Sequence, residues 1–397
     1  MSLPDSAAST PRYDVAELRA QEFPWTSGTT YLNNASTGPL PAGTVCVLHE
    51  FLRRRTNPSL LPDPDLQAVL AESRRLLAQL INASVAEIAL APNTTYGLNL
   101  AATGLPLQAG DVVLVSDKEF PANVYPWHRL EERGIGCELV PTTPEGWPDA
   151  ARIRERLADP RVRVLALSLV QFGTGYLADL AYWSAATRET DTYLVVDAIQ
   201  GLGHIPVDLA RTEVDILSAG GQKWLLSPWG SGFVYVRKDL RDVVQPPATG
   251  WMAYEGSQDF TRLTSYDDRL LPDARRFELV TLPFQDFAGL NASVSLLLSL
   301  GIEAIRRHID GVLEPIRCWC GTQGVPLRSP LGAHGSAIVC VAPSDPVEAH
   351  RLLRAEGVVS SLREGSIRLS PHCYNTVDEM ERVVAVLERV GTKATAG

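Results

Sequence analysis

No long Lys/Arg-rich run occurs in these 397 residues, and the formal net charge is -10. Such a chain offers no phosphate-neutralising surface, which argues against nucleic acid as a partner. Nor does any apolar run approach the length of a membrane span, so no membrane association is expected. The first residues, 1–11, are small and polar without the apolar stretch of a signal peptide, and they read as a frayed tail. Cysteine is sparse: six residues, at 46, 137, 318, 320, 340 and 373, with Cys318-Trp319-Cys320 the only close pair. A zinc site wants a second pair at defined spacing, so no metal is expected. Reduced thiols in a cytoplasmic protein are the expectation.

What the chain does have is apolar substance. Hydrophobic residues make up 45% against 21% charged, enough for a large core and a second, smaller domain. Short apolar runs recur at residues 88–91, 112–115, 137–140, 164–167, 194–196, 216–217 and 232–236. Helical patterns separate most of them, at 99–105, 122–132, 149–157 and 181–190. Residues 66–81 carry Leu70, Leu76, Leu77 and Leu80 at helical spacing. This alternation predicts an α/β fold with a mostly parallel seven-stranded sheet covered by helices. Beyond about residue 240 the rhythm changes. Residues 256–276 read as loop, 284–300 as a long apolar helix, and 336–390 as strand, helix, strand, helix, which suits a smaller α+β C-terminal domain. The expected division is an N-terminal arm (1–25), a large domain (26–270) and a small domain (271–397).

Ligands in such sheets gather at the carboxyl ends of the strands, so the polar residues after each run carry the interest. After the sixth run, Ser218-Ala219-Gly220-Gly221-Gln222-Lys223-Trp224 presents one lysine in a stretch with almost no other charge. Desolvating an ammonium is costly unless the site uses it. After the fifth, Asp197-Ala198-Ile199-Gln200 ends a buried run in a carboxylate, which needs a cationic or strongly hydrogen-bonding partner. After the first, Asn93-Thr94-Thr95-Tyr96-Gly97 opens a helix with two hydroxyls, where backbone N–H groups and the dipole favour an anion. A plain helix cap is the alternative for that segment alone. A lysine able to form a Schiff base, a carboxylate for a pyridinium nitrogen and a helix N-terminus for a phosphate together describe a pyridoxal 5'-phosphate site.

At these residues the chain resembles the class V aminotransferase family of pyridoxal-phosphate enzymes, fold type I. That family includes cysteine desulfurases, selenocysteine lyases, isopenicillin N epimerase-like proteins and transaminases. The resemblance runs through residues 31–41, 92–99, 197–206, 218–232 and 363–376, in the family's order. It implies that Lys223 is catalytic, carrying the cofactor and shuttling the Cα proton, and that Asp197 holds the ring nitrogen protonated. It implies Thr94, Thr95 and Gln222 for the phosphate, Phe120 over the ring, and Gln200 and Gln171 near the ring oxygen. Arg368, in Ser366-Ile367-Arg368-Leu369-Ser370, matches the arginine for the substrate's α-carboxylate, a task suited to a bidentate guanidinium. Arg363 resembles a second contact, and Asn34 lies where the N-terminal arm covers the substrate. Relatives resemble obligate dimers, so a homodimer is implied, with Thr249 and Trp251 near the partner's phosphate. Gly220 departs from the family, where a serine is common, and shifts phosphate binding onto Thr94, Thr95 and Gln222. His204 reads as orienting a turn, and Trp224 and Trp229 as packing groups.

The expected activity is transamination or Cβ–S lysis by β-elimination on a small L-amino acid. Desulfurase-like or epimerase activity is the alternative, and a binding module without catalysis represents a different class. A desulfurase needs a reactive thiolate on a mobile loop near the carboxylate arginine. Residues 358–365 have no cysteine, Cys340 falls in a strand pattern, and Cys373 lies beyond the expected loop.

Overall fold

The computed structural model describes residues 13–391, and the tail expected over 1–11 lies outside them. The central sheet has seven strands: β1 (Ile88–Ala91), β2 (Val112–Ser116), β3 (Gly136–Val140), β4 (Val162–Ser168), β5 (Tyr193–Asp197), β6 (Ile216–Gly220) and β7 (Gly232–Val236). Their order is β1-β7-β6-β5-β4-β2-β3. Every neighbouring pair is parallel except those of β7, which runs antiparallel to β1 and β6. The seven apolar runs are thus the seven strands.

Alternate residues feed two apolar layers, the reason the strands read as unbroken hydrophobic runs. Leu90, Leu114, Leu165, Leu194, Val196, Leu217 and Phe233 enter one layer, with helices Asp63–Leu80, Leu180–Arg188 and Phe284–Leu300 against it. Ala89, Val113, Val115, Val164, Val195, Ile216 and Val234 enter the other, under helix Thr94–Gly104 and Trp127. Gly97 lets that helix lie close on β6, because a Cβ there would sit 2.3 Å from Ser218 Oγ.

The pattern at 122–132 gives only short turns around helix Tyr125–His128, since Pro121 and Pro126 interrupt any longer ladder. Trp229, read as packing, is 69% exposed, whereas Trp224 is wholly buried. Helices Ala42–Arg55 and Ile302–Gln323 come in addition to those expected. Among the described residues no single helix is long and apolar enough to cross a membrane.

The smaller α+β part has strands β8 (Val339–Val341), β9 (Ser361–Arg363) and β10 (Ser366–Leu369), ordered β9-β10-β8 and antiparallel throughout. Helix Val377–Gly391 packs on Ile302–Gln323 behind them. The N-terminal segment ties into this part: Thr30–Tyr31 pairs in parallel with Val358–Val359, and the Arg19 guanidinium donates to Tyr374 O (2.7 Å) and Glu379 (2.8 Å).

Candidate active site

Strands β1, β2, β4, β5 and β6 end at one edge of the sheet, and the residues just past those ends form the site. Asp197 closes β5 and pairs with Ser218 of β6, and Lys223 follows three residues after that strand ends at Gly220. The aspartate is 3% exposed and accepts the Ile199 N–H at 3.0 Å. Burial pushes its carboxyl up to about 6; the Ile199 bond and the Lys223 charge work against this, and the nearby Glu119 adds to it. Burial pushes the Lys223 ammonium down to about 8, opposed by Asp197 and reinforced by Arg368 and Arg363. Its Nζ lies 5.6 Å from the centroid of the Phe120 ring.

Only a neutral amine attacks an aldehyde, and roughly a tenth of Lys223 is neutral at pH 7 if it titrates near 8. Uptake of pyridoxal phosphate by apoprotein should therefore accelerate about tenfold between pH 7 and 9. The growth of long-wavelength absorbance after mixing measures this. An ordinary lysine would keep accelerating well past pH 9.

At the other end of the site stands the first turn of helix Thr94–Gly104. Asn93 caps it by accepting the Tyr96 N–H at 3.0 Å, and the N–H groups of Thr94 and Thr95 before it have no intrahelical acceptor because they open the helix. Thr94, 5% exposed, accepts the Gly220 N–H on Oγ1 at 2.9 Å, which leaves its hydroxyl proton to donate. Thr95 beside it is exposed. A Cβ at Gly220 would meet Gln222 Oε1 at 2.4 Å, so the Gln222 amide fills the space that a side chain at 220 would take.

Around the middle, Gln171 is 1% exposed, and its amide favours the charged form of the buried Glu119 carboxylate beside it. Gln200 is committed to the fold through both ends of its amide, Nε2 donating to Ala35 O at 3.0 Å and Oε1 accepting from Trp224 Nε1 at 2.9 Å. One Nε2 proton remains. Phe120 is 44% exposed, an open ring facing Lys223, with Phe172 edge-on at 5.2 Å.

Arg368 on β10 is 2% exposed, yet no carboxylate pairs with it among the described residues. Nη1 donates to Phe172 O (3.0 Å) and Nη2 to Ser36 Oγ (2.8 Å), while Nε is buried without a partner. Asn34 is wholly buried and spends its amide on Ser370 O (3.0 Å) and the Tyr374 hydroxyl (3.1 Å), anchoring the N-terminal segment beside Arg368. Arg363 sits exposed at the tip of the β9–β10 hairpin. Thr249 and Trp251 are exposed, and their contacts are with Tyr254 and Phe260.

Four further residues belong to the site that sequence reasoning did not single out. Glu119 is a buried carboxylate accepting the Ser168 N–H at 3.0 Å, the Ser168 hydroxyl and the Asn123 amide, and burial pushes it up despite these bonds. Its place one residue before Phe120 was the available signal. Phe172 and Ser36 hold the guanidinium of Arg368. Gly38 admits the Lys223 segment, since a Cβ there would lie 2.0 Å from Lys223 O.

These groups fit pyridoxal phosphate and an amino acid. The Thr94 hydroxyl is a donor awaiting an oxygen acceptor, Phe120 is an open face for a ring, and Arg368 is a buried cation lacking an anion, its Nε without a partner.

A family model described as aminotransferase class-V matches residues 30–316. The chain is 29% identical over 312 residues to the uncharacterized aminotransferase YcbU of Bacillus subtilis, covering 79% of this chain and 81% of that one. It is 28% identical over 406 residues to a probable cysteine desulfurase of Pyrococcus abyssi, covering 95% and 98%. Among solved structures, the apo cysteine desulfurase from Thermococcus onnurineus NA1 superposes with a TM-score of 0.85 at 23% identity, covering 97% of this chain and all (100%) of that one. The cystine C–S lyase C-DES, in complex with its product cysteine persulfide, gives 0.83 at 23% identity, covering 92% and 99%. At that identity the likeness is one of fold.

Proposed function

The chain belongs to the class V aminotransferase family of pyridoxal-phosphate enzymes, and from that premise we propose that it cleaves the Cβ–S bond of a small sulfur-bearing L-amino acid by β-elimination, without a thiol of its own. The state of the cysteines carries this reading. Cys340 and Cys373 are both wholly buried; burial pushes the first thiol up to about 11 and the second further. The β9–β10 hairpin beside Arg368 has no cysteine, and the two exposed thiols, Cys46 and Cys318, lie on helices Ala42–Arg55 and Ile302–Gln323. A desulfurase needs an accessible thiolate to take the sulfur. Sulfur as the leaving atom draws support from relatives named probable cysteine desulfurase at 27–28% identity over more than nine-tenths of the chain. These favour the desulfurase-like alternative over transamination, although YcbU is named an aminotransferase.

Bound in this site, the cofactor supplies an electron sink for the Cα carbanion. The residues divide the remaining work. Arg368 takes the α-carboxylate on its free N–H groups and thereby orients the Cα–H bond. Lys223 Nζ, part neutral at physiological pH, accepts the Cα proton. Asp197, ionised above about 6, holds the ring nitrogen's proton in place. The electron pair from Cα–H forms the Cα=Cβ bond as Cβ–S breaks, the sulfur leaves with the electron pair of that bond and takes up a proton, and the released enamine hydrolyses to pyruvate and ammonia. The reading includes a homodimer in which the exposed Thr249 and Trp251 face the second copy's phosphate end.

Incubating holoenzyme with L-cysteine and L-cystine in turn should yield pyruvate together with sulfide or persulfide sulfur. Absence of pyruvate from both, with conversion to the pyridoxamine form by another amino acid, would replace the lyase by a transaminase.

A further inference from the structure

The proposed chemistry uses no thiol of the chain, and one of those thiols, Cys340, stands directly across from Arg368. The two residues are register partners on the antiparallel strands β8 and β10, so their side chains share one face of the small sheet. They also grip the same loop at successive carbonyls: Arg368 Nη1 donates to Phe172 O at 3.0 Å, and Cys340 Sγ donates to Gly173 O at 3.1 Å. That loop begins with Gln171, whose amide lies beside the Glu119 carboxylate, and its Phe172 ring meets the edge of Phe120.

From this geometry we infer that Cys340 is a positioning residue for substrate carboxylate recognition: its S–H holds Gly173 so that the Arg368 guanidinium keeps Nε and its outer N–H groups turned towards the substrate. The inference rests on Arg368 being the carboxylate group's partner, as proposed above. The residue type follows from the position. An acid opposite Arg368 would pair with it and compete with the substrate, and a base would repel it. A purely apolar residue would leave Gly173 O without its donor. A small neutral donor meets all three conditions, and burial keeps the thiol protonated, as donation requires.

The test titrates holoenzyme with L-alanine, read by the change in cofactor absorbance, for the unaltered protein and for Cys340→Val, Cys340→Ala and Cys340→Ser. Val keeps most of the volume without the donor, Ala removes both, and Ser keeps the donor in a smaller volume. Half-saturation should rise about tenfold in the Val and Ala variants and stay within about threefold in the Ser variant, with kcat on L-cystine changed less than twofold in all three. Unchanged half-saturation in both Val and Ala, or a Ser variant as impaired as they are, overturns the inference. So does a common rise that tracks the fall in melting temperature, because then only packing is lost. If the unaltered holoenzyme responds to no amino acid, the function proposed above falls, and this inference with it.

Discussion

In a Lys223→Ala variant, turnover is expected to fall by at least about four orders of magnitude, since covalent attachment and the proton shuttle are both lost. Other groups near the cofactor do not replace them. In the proposed mechanism Asp197 is committed to the ring nitrogen, and Glu119 is enclosed by Ser168, Asn123 and Gln171. Borohydride treatment should fix the cofactor to the unaltered protein at Lys223 and leave the variant unlabelled, with mass spectrometry as the measurement. The same lysine should weaken the fold that presents it. Its ammonium titrates near 8 when folded against about 10.4 unfolded, so the unfolded chain binds the proton more tightly. The resulting penalty, on the order of 3 kcal/mol, is fully present below about pH 8 and disappears as pH rises towards the unfolded value. Lys223→Met apoprotein should therefore melt higher than the unaltered apoprotein at pH 7, by a margin that closes above pH 10. A variant that loses activity and melts lower would make Lys223 a structural residue instead.

The same tension explains why the sheet could be read from sequence while parts of the site could not. A strand buried on both faces must be apolar at every position, so β4 and β5 announce themselves as Val164-Leu165-Ala166-Leu167 and Leu194-Val195-Val196. The polar residues that follow then stand out, as Asp197 and Lys223 did. Helix Ile302–Gln323 was harder to see. Its wet face carries Glu303, Arg307 and Glu314, and Pro315 interrupts the pattern that marks a helix. Around 122–132 the failure ran the other way, because apolar spacing outlasted what Pro121 and Pro126 allow.

In the site, legibility followed charge. Lys223, Asp197 and Arg368 are ionisable groups in apolar surroundings, a conflict visible in the chain itself. Phe172 and Gly173 act through backbone carbonyls, and no side chain records that use. Gly38 matters only because the Lys223 carbonyl passes close to it, a contact between residues far apart in sequence. Gln200 and Asn34 were legible as polar residues in a recognisable motif, but their amides engage Trp224, Ala35, Ser370 and Tyr374. A motif names the residue; only the fold shows which of its hydrogen bonds are already taken.

Replacing Arg368 by alanine should raise KM for the amino acid by about a hundredfold or more, with a much smaller loss in kcat. Truncating one partner of a buried, hydrogen-bonded charge pair costs roughly 2–5 kcal/mol, which sets that scale. In the proposed mechanism proton transfer belongs to Lys223, so once substrate is forced on by concentration the chemistry should proceed, though less well oriented. Although burial and the neighbouring Arg363 draw the guanidinium down to about 10, it remains charged through the neutral range, so this contribution should be flat from pH 6 to 9. Arg368→Lys should recover little. An ammonium cannot bond Phe172 O and Ser36 Oγ and still offer a carboxylate two parallel N–H groups. Steady-state kinetics on L-cystine across that pH range separate the cases. An unchanged KM in the alanine variant would move carboxylate recognition away from Arg368, and full recovery by lysine would mean that charge alone is needed there.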